Sequence, residues 1–187
     1  KYQYKRVLGF YYMILMITCI FVTMWGKEII ALMSNSAYGA AYLLLPGLLF
    51  GQVMYGVSVI VGYGLSFEKK TNYIFAANVI GAVLNIVLNF AFIPNFGVEA
   101  AAYTTYVGYF VMAILLYVFA QKFYPCDYAI SKVIISNVII IALATFMNHY
   151  EMALGIRALL TAASLALIFI LYRDAIKDIF MILVRVK

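Results

Sequence analysis

Apolar residues fill six long stretches of this chain, at roughly 7–26, 40–65, 73–92, 100–120, 133–147 and 153–172, with polar residues concentrated in the short connections. A helix needs ~20 mostly apolar residues to cross the hydrocarbon core of a bilayer, so each stretch predicts a spanning helix. The fifth is short, and is expected to borrow residues 148–150 or to begin before Lys132. No low-complexity tract separates the stretches, and no repeat with a period of roughly 20–50 residues relates them. The pattern therefore predicts an all-α integral membrane protein with six transmembrane helices.

Within these apolar stretches, the polar and small residues fall into stripes. Asn78, Asn85 and Asn89 are spaced seven and four residues apart, which places them almost in line on a helix. An amide in hydrocarbon finds no water, so the row is expected to face protein or a wet cavity. Interhelical hydrogen bonding is one role; lining a lumen and bonding sugar hydroxyls is the other, since an amide donates and accepts without a counter-ion. Ala77 and Gly81 flank the row and mark a close-packed side. Pro94 cannot donate a backbone hydrogen bond and disfavours helical geometry at Ile93, so this helix is expected to end near Phe92, before Gly97.

The second stretch carries Pro46-Gly47 about ten residues in, where proline would kink a helix, and Ser36 is placed to cap its start. Gly47 and Gly51 form a G-x-x-x-G pair suited to close helix contact. Gln52, Tyr55, Gly56, Tyr63 and Ser66 share a face, which reads either as packing or as the wall of a polar translocation cavity. In the fourth stretch Ala100, Thr104 and Gly108 predict a helix contact. Its tyrosines, Tyr103, Tyr106 and Tyr117, read as packing or an interfacial aromatic belt, with stacking on sugar rings as the alternative. Ala158, Ala162 and Ala166 predict a packing seam in the sixth. From Asp174 onward, Ile176, Ile179, Phe180 and Leu183 recur at helical spacing opposite charged residues, predicting an amphipathic tail lying on the membrane surface.

Composition agrees with the pattern. The chain is 67% hydrophobic and 11% charged, with a mean hydropathy of +1.03. The formal charge of +6 means less than its distribution. Lys1, Lys5, Arg6, Lys69, Lys70, Lys122, Lys132, Arg173, Lys177, Arg185 and Lys187 fall on one side of the predicted membrane, and only Lys27 and Arg157 on the other. The positive-inside rule then places both ends of the chain in the cytoplasm. The basic residues are accounted for by this topology, so a nucleic-acid partner is not expected. The chain starts at Lys1 with no cleavable signal peptide, which suggests a segment of a longer polypeptide.

The candidate chemistry points away from catalysis. Every Asp and Glu falls at a loop or helix end, and the single histidine, His149, falls in a predicted external turn beside Glu151, where a solvated role is expected. Cys19 lies mid-span and Cys126 in a loop, so neither a disulfide nor a metal site is expected. No phosphate-binding glycine loop or calcium loop is present. No enzyme activity, cofactor or metal is expected.

The run Gly81-Ala82-x-x-Asn85-x-x-x-Asn89, leading into Ile93-Pro94-x-Phe96-Gly97 and Ala100-Ala101-Ala102, resembles the polysaccharide-exporter branch of the MATE-like flippase superfamily. The resemblance is best over residues 7–121. It implies a transporter of about twelve to fourteen helices in two lobes around a central cavity that opens alternately to the two faces of the cytoplasmic membrane. Residues 1–122 would be four spans of the second lobe, 123–172 an additional C-terminal pair, and 173–187 the cytoplasmic tail. The implied cargo is an oligosaccharide on polyprenyl diphosphate, with membrane lipids and other polysaccharide-assembly membrane proteins as partners. Glu99 departs from the family pattern, which often has a small residue there. Two alternatives remain open at this point: a multidrug and toxin cation antiporter of the same superfamily, which usually needs an intramembrane acid that this segment lacks, and a non-transporting subunit of a glycan-synthesis complex.

Overall fold

A computed structural model describes residues 2–33, 38–150 and 152–177. Among these all regular structure is helical: α1 (Tyr2–Met24), α2 (Gly26–Met33), a short 3-10 helix (Ala41–Leu44), α3 (Leu45–Phe67), α4 (Thr71–Phe96), α5 (Val98–Phe123), α6 (Ile130–His149) and α7 (Leu154–Leu171). Six segments are long and apolar enough to cross a membrane, and they coincide with the six predicted spans. The protein is an all-helical, multi-pass integral membrane protein. The fifth span extends at both ends, from Ile130 to His149. The first connection holds α2, a helix that the apolar pattern did not predict.

Close backbone contact decides which helices pair. The α3–α5 pair is the most extensive, followed by α4–α5, and α1 packs on α3, α6 and α7. A Cβ on Gly47 would sit 2.6 Å from the Ala102 carbonyl carbon, so glycine there lets α3 and α5 meet backbone to backbone. Gly51 faces Tyr106 on the same seam, and Gly81 and Gly108 form the α4–α5 crossing. Gly47, Gly51 and Gly108 thus sit at helix contacts, while Ala100 is half-buried.

Three expectations are overturned. Pro46 does not kink a helix: it lies in the first turn of α3, where its missing N–H costs no intrahelical bond. Pro94 does not end α4 at Phe92. The helix runs on to Phe96 because Pro94 falls in the last turn, where one bond is lost and the Gly97 N–H still reaches Ile93 O at 2.8 Å. Termination comes from Gly97, whose φ of +67° only glycine adopts without strain. The seam of α7 is Thr161, Ser164 and Ile168, while Ala158, Ala162 and Ala166 are exposed. Hydroxyls gain from protein partners in hydrocarbon, whereas a methyl is equally at home against lipid. Ser36, Glu151 and the tail residues Ile179, Phe180 and Leu183 lie outside the described residues; residues 173–177 are helical.

Candidate functional site: an amide and tyrosine groove

Helices α3 and α4 both lie on α5 but scarcely touch each other. A groove is left between them, floored by α5. One hollow of about 310 Å³ is lined by Tyr55 of α3, by Asn78, Gly81, Ala82 and Asn85 of α4, and by Thr105, Gly108, Tyr109 and Met112 of α5. A second, of about 250 Å³, shares Tyr55 and Asn78 and continues past Ser58, Tyr63 and Ser66. The glycine crossing at Gly81 and Gly108 lowers the floor, because no side chain fills it.

The three asparagines have different partners. Asn85 Nδ2 donates to Thr105 Oγ1 at 3.3 Å, and Asn89 Nδ2 donates to Asn85 Oδ1 at 3.2 Å. The Thr104 hydroxyl donates to Asn89 Oδ1. These two amides therefore tie α4 to α5. Among the described residues Asn78 donates only to Ile74 O of its own helix, at 2.7 Å, and it is exposed in the groove. Gln52 is exposed and makes no hydrogen bond with the described residues. Tyr55 and Tyr63 are about half exposed, and the Tyr55 ring lies 5.2 Å from that of Tyr109. The structure thus gathers Tyr55, Tyr63, Asn78 and Asn85 into one groove, with Gln52 on the same face of α3 and Asn89 in the interhelical network. Pro46, Gly47, Gly51, Pro94 and Gly97 shape the helices around it without lining it.

On the far side of α5, Tyr103 and Tyr106 meet polar positions that the periodicity did not single out. The Tyr12 hydroxyl donates to Val133 O at 2.9 Å and lies 2.9 Å from Ser136 Oγ. The Tyr106 hydroxyl donates to Asn137 Oδ1 at 2.9 Å, and Tyr103 meets Thr145 at 3.0 Å. Ser136 and Asn137 are fully buried. The adjacent Ser-Asn pair inside the fifth apolar stretch was the available signal for this cluster. Tyr12 carried none, being one of 17 tyrosines.

Charge gathers at the two ends of the bundle. At one end Lys5 bonds Asp127, and Lys70 and Lys122 lie over the Phe123 ring. The Lys5 hydrogen bond, helped by the Ala129 N–H, holds the Asp127 carboxyl below the ordinary carboxylate value. At the other end Arg157 grips Glu28 with both terminal nitrogens, donates to Met24 O, and lies 5.4 Å from the Trp25 ring centroid. Burial works against ionised Glu28, but the Arg157 hydrogen bond, the backbone bond and the nearby cations outweigh it, so its pKa lies below the ordinary value. His149 is exposed, as expected, and its Nε2 lies 3.1 Å from Glu99 Oε1.

No family model matches this chain, and no solved structure matches it. Among curated proteins, the chain is similar to the probable low-salt glycan biosynthesis flippase Agl15 of Haloferax volcanii, at 25% identity over 149 residues. That match covers 79% of this chain and 32% of the relative, so the chain spans about a third of its relative's length. The groove thus belongs to a membrane protein similar to one named as a probable glycan biosynthesis flippase.

Proposed function

We propose that this chain is the C-terminal portion of a two-lobed, MATE-like flippase that carries lipid-linked oligosaccharide across the cytoplasmic membrane by alternating access. It does so without covalent chemistry, so it is not an enzyme. The carrying observation is the α3–α4 groove, where an amide, tyrosine hydroxyls and rings stand open at membrane depth. Unpaired polar groups facing lipid are costly, so the groove suits a wet cavity closed by the rest of the protein. Tyrosine rings offer faces to sugar rings, while Gln52 and Asn78 offer both donors and acceptors. Similarity to a named glycan flippase supports the same cargo class. The polyprenyl chain would stay in the bilayer while the sugar head crosses.

In this reading both ends of the segment are cytoplasmic, and Arg157, Glu28, His149 and Glu99 mark the external mouth. A cysteine at Lys69 in the full-length protein should react with an impermeant thiol reagent only from the cytoplasmic side; labelling from outside would invert the orientation. The function itself is tested by Gln52→Leu combined with Asn78→Leu in the full-length protein. Delivery of glycan-lipid to the outer leaflet should fall several-fold with unchanged protein level. Undiminished delivery would remove the groove from the transport path.

A further inference from the structure

The turn from α3 to α4 is closed by a Schellman motif. The Lys70 N–H bonds Leu65 O at 2.8 Å and the Lys69 N–H bonds Ser66 O at 3.1 Å, which satisfies two carbonyls of the last turn of α3. The motif puts Lys69 in the left-handed region, at a φ of 55°, where glycine is the usual residue because a Cβ is strained. The chain thus keeps a lysine where the backbone alone favours glycine. Its side chain is exposed and makes no ion pair with the described residues.

Two further ammoniums gather beside this turn. Lys70 Nζ lies 5.3 Å and Lys122 Nζ 5.6 Å from the centroid of the Phe123 ring, which itself packs at 4.8 Å on Tyr73. Among the described residues neither lysine makes an ion pair; Glu68, the acid of the same turn, makes none either, and Asp127 is taken by Lys5. Two like charges on one small ring repel, and an anion between them replaces that repulsion with two attractions. Aromatic rings set the depth of this cluster. Tyr4, Phe67 and Tyr124 pack together at this end, as do Tyr73, Phe119 and Phe123. Such a layer marks the headgroup level of a bilayer, so the ammoniums stand at the level of lipid phosphates. Beyond the rings, Phe75, Val79 and Val83 of α4 are exposed and give acyl chains an apolar surface.

We propose that Lys69, Lys70 and Lys122 form a binding site for an anionic phospholipid, with the headgroup phosphate held between the two ammoniums that share the Phe123 ring. Three cations with no carboxylate partner, at phosphate depth and next to lipid-facing apolar surface, complement a lipid that carries both a negative head and acyl chains. The site recruits one lipid to the α3–α4 turn and the end of α5. The inference depends neither on the cargo nor on which side of the membrane this end faces.

The test titrates the delipidated full-length protein in detergent with phosphatidylglycerol and, separately, phosphatidylcholine, and reads bound lipid by native mass spectrometry. Wild type should bind phosphatidylglycerol more tightly. Lys70→Gln combined with Lys122→Gln should weaken that binding by about fivefold for each lysine removed, whereas Lys70→Arg with Lys122→Arg should retain it. Lys69→Gly should also weaken it while leaving the unfolding midpoint unchanged or higher, since glycine relieves the left-handed position. Lys132→Gln combined with Lys177→Gln removes the same charge from the same predicted side and should change binding by less than about twofold, because charges beyond a Debye length are screened. A wild-type measurement stands beside the variants: phosphatidylglycerol with a photoreactive headgroup should crosslink mainly within residues 67–75 and 119–124. The inference is overturned if phosphatidylcholine binds equally well, or if the two distant lysines matter as much as Lys70 and Lys122. Crosslinks spread evenly over this end, or displacement of the lipid by millimolar inorganic phosphate, would overturn it too.

Discussion

Polar residues at membrane depth meet opposite fates on the two sides of α5. Toward α6 and α1 they are buried and largely spent on one another, as Tyr12 is on Ser136 and Tyr106 on Asn137. Toward the space between α3 and α4 they are half open, and among the described residues Gln52, Asn78, Tyr55 and Tyr63 keep polar atoms uncommitted. Asn85 and Asn89 stand at the border, bonded to α5 threonines yet beside the groove. A bonded amide in hydrocarbon holds helices together, whereas an uncommitted one needs water or a ligand. Residue type does not separate the two groups; partnership does.

The largest break in this contrast comes from the seam that holds α3 on α5. Gly47→Val would drive a side chain into the Ala102 backbone and should cost about 2–3 kcal/mol, read as a lower unfolding midpoint in detergent. Next comes the buried side. Asn137→Leu strands the Tyr106 hydroxyl, but it also removes an Nδ2 with no partner among the described residues, so the net loss should be about 1 kcal/mol by the same measurement. On the open side, Gln52→Leu and Asn78→Leu should change stability by less than about 0.5 kcal/mol while lowering transport. A stability loss equal to that of Asn137→Leu would erase the distinction between the two sides.

The smallest effect concerns the charged end, away from both groups. Glu28 has a depressed folded-state pKa, so its pairing with Arg157 contributes fully above the unfolded carboxylate value and is lost as pH falls through the folded one. Below about pH 4, α2 should loosen from α7, read as faster amide exchange over residues 26–33.

Much of the architecture was legible in the sequence because hydrocarbon imposes a strict rule: each spanning segment must be long, apolar and helical. That rule fixed six spans and their polar stripes. It misjudged the prolines, since the cost of a missing N–H depends on the turn in which it falls, and a hydropathy profile locates turns only to within a few residues. It also misjudged the alanine seam of α7, because alanine is as content beside lipid as beside protein.

By itself, then, the sequence determined that this chain crosses a membrane with six helices and that Asn78, Asn85 and Asn89 share a stripe. Only the tertiary structure decided which of those amides are spent on α5, that α3 and α4 diverge to leave a groove, and that His149 finds Glu99. The physical reason is that periodicity reports the face a residue occupies on its own helix. Its partner is chosen by how closely the backbones approach, and here glycines on α3, α4 and α5 set that distance.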